Sequence, residues 1–298
     1  MNVPESPEWW RGASYWIKKH HLSKGSDGGD NVTKILVKAA QLKPGMKVAD
    51  LASGVGDPAI TLAEGIGPNG RVMAIDHIFK QVAGAKKNAS EKGLTNLSFQ
   101  RADAQALPFF DQTFDVVTCR FGAMFFPDID QAGREILRVL KPGGKVLLLV
   151  WGPREQEEGN MCMMQIIRKY TSKHDDPQFW NRNKVSDPGP LLAILRGVGF
   201  EHVEAESHTV PEVWLGTLEE YLEISCDGFW DDKTFENKEQ VRDEVLANMR
   251  KHCGGEEVKF NVNIILVSAR KITKKIEDQS SHAPKMYLSA SHPRAASV

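Results

Sequence analysis

Between residues 48 and 151 short apolar runs alternate with stretches of helical spacing, and this alternation limits the fold more than any other feature of the chain. Residues 48–51, 71–75, 97–101, 114–119 and 145–151 read as short buried strands. Residues 58–65, 80–92 and 129–140 place apolar side chains at helical intervals between them. Strands separated by helix-length crossovers pair in parallel, and right-handed crossovers cover both sheet faces. The pattern predicts a doubly wound, Rossmann-like α/β sheet. A helix over 32–42 precedes it and stops at Lys43-Pro44-Gly45.

The remainder of the chain completes and caps this core. Helices are expected over 160–172 and 188–199, a sixth strand over 200–210 and a seventh over 259–269. The intervening 211–257 is too long for a turn and contains helical stretches near 218–224 and 238–252, so it reads as a cap insertion. The first 31 residues form an aromatic segment with Trp9, Trp10, Tyr15 and Trp16, followed by a flexible Ser26-Asp27-Gly28-Gly29-Asp30. The last stretch, 271–298, is expected to be a disordered tail. The organisation is thus a lid segment at 1–31, a core at 32–152, sheet completion and cap at 153–270, and the tail.

Composition narrows the function classes. A net charge of −1 over 298 residues excludes the strongly basic surface of a nucleic-acid binder. Cys119, Cys162, Cys226 and Cys253 lie far apart without metal-ligand spacing, which points to free thiols in a reducing compartment and to no metal. No apolar run reaches membrane-spanning length, and the start, with Glu5 and Glu8, does not read as a signal peptide. A soluble cytoplasmic protein acting on a small molecule is the expectation.

The chemistry concentrates in Val48-Ala49-Asp50-Leu51-Ala52-Ser53-Gly54-Val55-Gly56-Asp57-Pro58, which follows the first strand and opens a helix. Gly54 and Gly56 let the backbone turn tightly beside a ligand. Asp76 ends the second strand twenty residues after Gly56, where a carboxylate can accept the hydroxyls of a ribose. A dinucleotide site is one reading, with Ala59 in place of the third glycine. Asp57 would repel a pyrophosphate, however, and Pro58 removes an N–H donor. The sulfonium and ammonium of S-adenosylmethionine (SAM) suit an acid-lined loop better.

With these residues in view, 48–151 resembles the class I SAM-dependent methyltransferases, in particular the broad group that includes the ubiquinone/menaquinone C-methyltransferases. The resemblance rests on DLASGVG (50–56), GRVMAID (70–76), RADAQALPF (101–109), FDVVTCRFG (114–122) and REILRVLKPGGKVLLL (134–149). It implies SAM as cofactor, held at its methionine end by Asp50 and the Ala52, Ser53, Gly54 and Gly56 backbone. It places ribose at Asp76 and His77, adenine at Asp103 and Ala104, and Cys119 and Arg120 beside the ligand. It implies seven strands in the order 3-2-1-4-5-7-6 with the last antiparallel.

The element after the fourth strand departs from that group. Quinone C-methyltransferases carry Arg-Asn after the Phe-Gly pair, whereas Phe121-Gly122 is followed by Ala123-Met124-Phe125-Phe126, which points away from a quinone acceptor. The Asn/Asp-Pro-Pro-aromatic element of base amino-methylating enzymes is missing. Arg120 argues against the cation of catechol-type enzymes, and no cysteine stands near Asp57 as in arsenite methyltransferases.

All seven tryptophans lie outside 32–150, and Trp16 and Trp214, with Phe126, are expected to line the acceptor pocket. Arg120, His20, His21, Tyr15 and His208 are the candidate catalytic groups. The insertion carries 13 acids and 5 bases, a charge that either attracts an amine or marks a solvated helical face. The reading is a methyl transfer to O, N or C of a small, partly apolar molecule. A nicotinamide-dependent oxidoreductase and a non-catalytic SAM-binding regulator are the alternatives.

Overall fold

The computed structural model describes residues 27–153, 158–171, 187–214, 216–225, 235–253 and 258–273. In chain order the elements are α1 (Asp27–Ala40), β1 (Lys47–Leu51), α2 (Ala59–Ile66), β2 (Arg71–Asp76), α3 (Phe79–Glu91), β3 (Leu97–Arg101) and β4 (Phe114–Arg120). They continue with a short 3₁₀ turn (Ala123–Phe125), α4 (Ile129–Val139), β5 (Leu140–Trp151), α5 (Glu158–Ile167), α6 (Pro188–Val198), β6 (Phe200–Trp214), α7 (Leu218–Ser225), α8 (Lys238–Cys253) and β7 (Val258–Lys271).

The strands form one sheet in the order β3-β2-β1-β4-β5-β7-β6. The five strands from β3 to β5 pair in parallel, and β7 runs antiparallel to both β5 and β6. This is the order expected from the resemblance. Central strands buried on both faces explain why their sequences are continuous apolar runs rather than alternating ones. Val48, Ala49 and Leu51 of β1 and Leu147 and Leu149 of β5 are fully buried. One face packs against α1, α2 and the end of α3 through Leu36, Leu62, Ile66 and Ala89, and the other against α4 and α6 through Ile136, Leu191 and Leu195.

Several boundaries differ from expectation for local reasons. Asp27 to Asp30 forms the first turn of α1 rather than a flexible linker. β6 continues past Val210 to Trp214, so the strand takes the first residues assigned to the insertion, and Pro211 pairs with Asn261. Proline is tolerated there because β6 lies at the sheet edge and need not donate outward. β5 starts at Leu140, five residues early, and α5 stops at Ile167.

The β6–β7 hairpin overshoots the rest of the sheet. Trp151, the last residue of β5, pairs with Ile264, which pairs with His208. The hairpin goes on to Trp214↔Val258. Six further residues at about 3.4 Å each carry it roughly 20 Å past the end of β5. At its tip α5, α7 and α8 bury a separate apolar cluster that includes Met163, Ile167, Leu222, Val245 and Met249. This is the cap, mounted beyond the carboxyl ends of the strands. Arg242–Glu223 and Arg250–Glu219 ion pairs run across its exposed surface, so a solvated helical face accounts for part of the acidic charge.

Trp9, Trp10, Tyr15, Trp16, His20, His21, Trp180, Trp230, Cys226 and the stretch 274–298 lie outside the described residues. Among the described helices none is long and apolar enough to cross a membrane.

Candidate active site

The loop from Ala52 to Pro58 sits at the carboxyl ends of β1 and β4, the crevice where open α/β sheets bind ligands. Its turn is built from left-handed residues: Ala52 (φ 51°), Gly54 (φ 55°) and Gly56 (φ 108°). Gly56 needs glycine for its conformation, and a Cβ there would also press on the Ile60 side chain at 2.9 Å from Cδ1. Gly122 seals the other side, since a Cβ there would lie 2.3 Å from Ala52 Cβ and 2.9 Å from Cys119 Sγ.

Two buried acids flank the loop. Asp76 accepts the Gly54 N–H through Oδ2 at 2.9 Å and the Ile78 N–H through Oδ1 at 2.8 Å, which ties the glycine turn to β2. Burial raises its pKa, opposed by those two N–H donors. Asp50 is fully buried in β1; its Oδ1 accepts the Thr118 hydroxyl at 2.7 Å, while Oδ2 is buried with no hydrogen-bond partner. Burial pushes the Asp50 carboxyl up to about 7, against the opposing pull of the Thr118 hydroxyl, the Arg120 charge and the Ala59 N–H. An unsatisfied buried carboxylate oxygen at a ligand crevice costs stability unless a donor or cation meets it. The ammonium of SAM is of that kind, so the chemistry of the donor set fits the cofactor.

Arg120 occupies a different place from a free catalytic cation. Its Nη1 lies 2.7 Å from Asp57 Oδ2 and donates to Thr33 Oγ1 at 2.9 Å, and its Nη2 donates to the Asp57 carbonyl at 3.1 Å. The Thr33 hydroxyl lies 3.2 Å from both Asp57 carboxylate oxygens. Of the two roles open to Arg120, a structural ion pair and a group steadying a substrate oxyanion, the geometry is that of the ion pair. The same pair corrects the reading of Asp57 as a free loop acid: its charge is compensated, whereas Asp50 has no ion-pair partner among the described residues. Cys119 is fully buried, and burial drives its thiol pKa well above the usual range, so it packs rather than reacts.

The remaining predicted residues divide. Ser53 is 2% exposed and donates its N–H to Ile75 O. His77 accepts Arg101 Nε at its carbonyl, holding β2 to β3. Asp103 accepts the Gln105 N–H, and Ala104 is buried beside it in the loop after β3. Phe126 is half-buried just past the 3₁₀ turn. His208 does not join this group, being on β6, with β7 and β5 between it and β4. Its Nε2 is buried without a hydrogen-bond partner, 3.5 Å from Glu206 Oε1. Trp214 is 2% exposed, meets Tyr221 edge-on at 5.7 Å and donates Nε1–H to Thr217 O. The cap core uses it, which corrects its assignment to the acceptor pocket. Among the described residues no cluster of three or more metal-ligating side chains occurs.

An aromatic pair that sequence reading did not single out lies beside Arg120. Phe121 stacks on Trp151 with centroids 3.9 Å apart and planes 7° off parallel. Phe121 has φ 57°, a costly conformation for a bulky residue. Thr33 and Thr118 were missed as well. Thr118 left one signal, a lone hydroxyl inside the apolar run Val116-Val117-Thr118-Cys119.

A model of the ubiE/COQ5 methyltransferase family matches residues 30–170. The Ubiquinone/menaquinone biosynthesis C-methyltransferase UbiE of Shewanella sediminis is 39% identical over 191 residues, 59% of this chain and 74% of that protein. The chain belongs to the ubiE/COQ5 methyltransferase family. The Demethylmenaquinone methyltransferase of Bacillus cytotoxicus agrees, with 39% identity over 191 residues covering 59% of this chain and 78% of that protein. A putative methyltransferase structure from Bacillus halodurans superposes with TM-score 0.55 at 25% identity, over 81% of this chain and 99% of that one. This family member is accordingly a SAM-dependent methyltransferase acting on a small molecule, and the nicotinamide alternative falls. Fold alone would not decide this: the [4+2]-cyclase SpnF shares it at TM-score 0.54 and 23% identity, over 82% of this chain and 81% of that one.

Proposed function

We propose that this enzyme transfers a methyl group from SAM to a small, planar, partly apolar acceptor held against the aromatic ends of β4 and β5. The observation that carries the reading is the juxtaposition of the unsatisfied Asp50 Oδ2 with the strained Phe121 stacked on Trp151. Asp50 stands in β1 opposite Thr118 of β4, Phe121 follows that strand, and Gly122 closes against Ala52 of the glycine loop. A charged half-site for the donor thus adjoins an apolar wall for the acceptor.

In this reading Asp50 receives the ammonium and the backbone of Ala52 to Gly56 surrounds the methionine chain. Asp76 has lone pairs left for the ribose hydroxyls while its N–H contacts hold the turn, His77 borders the ribose, and Asp103 and Ala104 border the base. Cys119 and Arg120 form the floor, with Arg120 keeping Asp57 and α1 in place. Phe121, Trp151 and Phe126 orient the acceptor. The sulfonium supplies a methyl carbon already activated for in-line displacement, so no metal is required. What the protein adds is alignment and water exclusion, with near-ideal positioning contributing about 7–11 kcal/mol. A general base adds roughly 10²–10⁴-fold for an oxygen or carbon nucleophile. Tyr15, His20 and His21 are the candidates for that part.

The relatives named for quinone C-methylation make a quinol-type ring carbon the first acceptor to test. A second reading, a phenol or an amine, is favoured by Ala123-Met124-Phe125-Phe126 in place of the Arg-Asn element. Incubation with methyl-labelled SAM and reduced demethylquinones, phenols and amines, with the product bond assigned by NMR, separates the two. Transfer to none of them, with S-adenosylhomocysteine still bound, would leave the non-catalytic regulator.

A further inference from the structure

The loop between β3 and β4, which carries Asp103 and Ala104, is fastened along its length to one side of α4. Gln105 Oε1 accepts the Asp128 N–H at 2.7 Å, and Gln131 Nε2 donates to Gln105 O at 3.2 Å. Farther along, Glu135 Oε2 accepts the Leu107 N–H at 2.7 Å. Arg138 closes the set: Nη2 donates to Leu107 O at 2.9 Å and Nη1 to Phe109 O at 2.7 Å. The same guanidinium binds Glu135 through Nε and Nη2, at 2.7 and 2.8 Å, and Asp111 Oδ1 at 2.9 Å. Positions 131, 135 and 138 recur at helical spacing, so a single helix face binds the loop backbone, while the N-cap residue Asp128 holds the Gln105 side chain through its N–H.

The loop cannot hold this shape by apolar burial throughout. Leu107 is buried and Phe109 rests edge-on against Phe114, but Phe110 is 91% exposed. The carbonyls of Leu107 and Phe109 instead end on a planar, partly buried Arg138 fork whose orientation Glu135 fixes, the geometry in which arginine outperforms lysine. Glu135 is held in its ionised form by Arg138, so the pair stays charged through the physiological range.

We infer that Glu135 and Arg138 are positioning residues for the nucleobase, holding the 103–111 loop in the shape that reads the base edge. The inference rests on the placement of the base at Asp103 and Ala104. Neither side chain is expected to touch the cofactor. Their effect is to keep loop backbone donors and acceptors aligned before the ligand arrives, so that alignment is not lost to loop entropy on binding.

The test compares S-adenosylhomocysteine with its inosine analogue, in which the amino donor of the base becomes a carbonyl acceptor. Both are titrated calorimetrically into the full chain and into Arg138→Met and Glu135→Gln, with thermal midpoints recorded. The wild type is expected to prefer the adenine ligand. In Arg138→Met the preference should fall by about tenfold, the worth of one or two lost hydrogen bonds, and by less in Glu135→Gln. Equal weakening of both ligands, preserving the ratio, would make the pair merely structural and overturn the inference. If Arg138→Met does not fold, Glu135→Gln alone decides by the same ratio. A wild type indifferent to the base would instead remove the adenine placement, and the inference with it.

Discussion

Asp50 concentrates the energetics of the site. Its folded-state pKa of about 7 stands above the ordinary 3.8, so folding takes up a proton between those values. The Asp50 contribution to the stability of the ligand-free protein should therefore decline as pH rises through that window, by on the order of 4 kcal/mol in total. Asp50→Asn should flatten this decline, measured by denaturant unfolding at pH 4, 6 and 8. A ligand ammonium reverses the preference, so S-adenosylhomocysteine affinity should rise as pH approaches 7 and lose that dependence in Asp50→Asn. Gly122→Ala makes a second residue-scale case. Its Cβ meets Ala52 Cβ at 2.3 Å, and overpacking of this kind typically costs 1–3 kcal/mol. Weaker S-adenosylhomocysteine binding should accompany it, because the backbone that yields belongs to the glycine turn. At this scale the sequence was legible where spacing to a strand end defines a residue, as for Asp50 and Asp76. It was not where a partner comes from a distant segment. Asp57 reads as a free acid until β4 and α1 bring Arg120 and Thr33 to it.

Among the elements, β4 is joined to the glycine loop through that ion pair, and the Thr33 hydroxyl of α1 meets both partners. Arg120 and Asp57 side chains are 15% and 23% exposed, so the pair is largely desolvated. Arg120→Met should destabilise by about 1–3 kcal/mol, chiefly by leaving Asp57 without its counter-charge, and adding Asp57→Asn should recover part of the loss. A double-mutant cycle with no coupling would contradict the pairing. The α4 C-terminus offers a comparable test, because Lys271 Nζ from β7 donates to Leu137 O at 2.8 Å and Leu140 O at 2.7 Å. Lys271→Met should cost about 1–2 kcal/mol and leave ligand affinity unchanged, as measured by unfolding and titration in parallel. Strand and helix identities were legible from period alone. The extension of β6 through Pro211 was not, because edge pairing overrides the usual reading of proline as a stop.

For the molecule as a whole, alternation of strand and helix implied the parallel core, and ordered motifs implied the seven-stranded order that the sheet adopts. The cap was legible only as an insertion. Its helices satisfy one another, so Trp214, which alone resembles a pocket aromatic, is consumed by the cap's own core. Placing that core at the tip of a hairpin sets it beyond the strand ends, while the proposed donor half-site lies at β1 and β4. The proposed roles explain why the donor residues carry readable motifs and the acceptor residues do not. Donor contacts are made by backbone turns whose glycine spacing is fixed, whereas an apolar wall accepts many side chains of similar volume.

The most direct measurement is transfer of label from methyl-labelled SAM to reduced demethylquinones and simple phenols by the full chain, with Phe121→Ala in parallel. Label is expected in a planar acceptor, strongly reduced in Phe121→Ala at saturating acceptor, with S-adenosylhomocysteine affinity within a few-fold of wild type. No labelled product from any acceptor, despite tight S-adenosylhomocysteine binding, would contradict it.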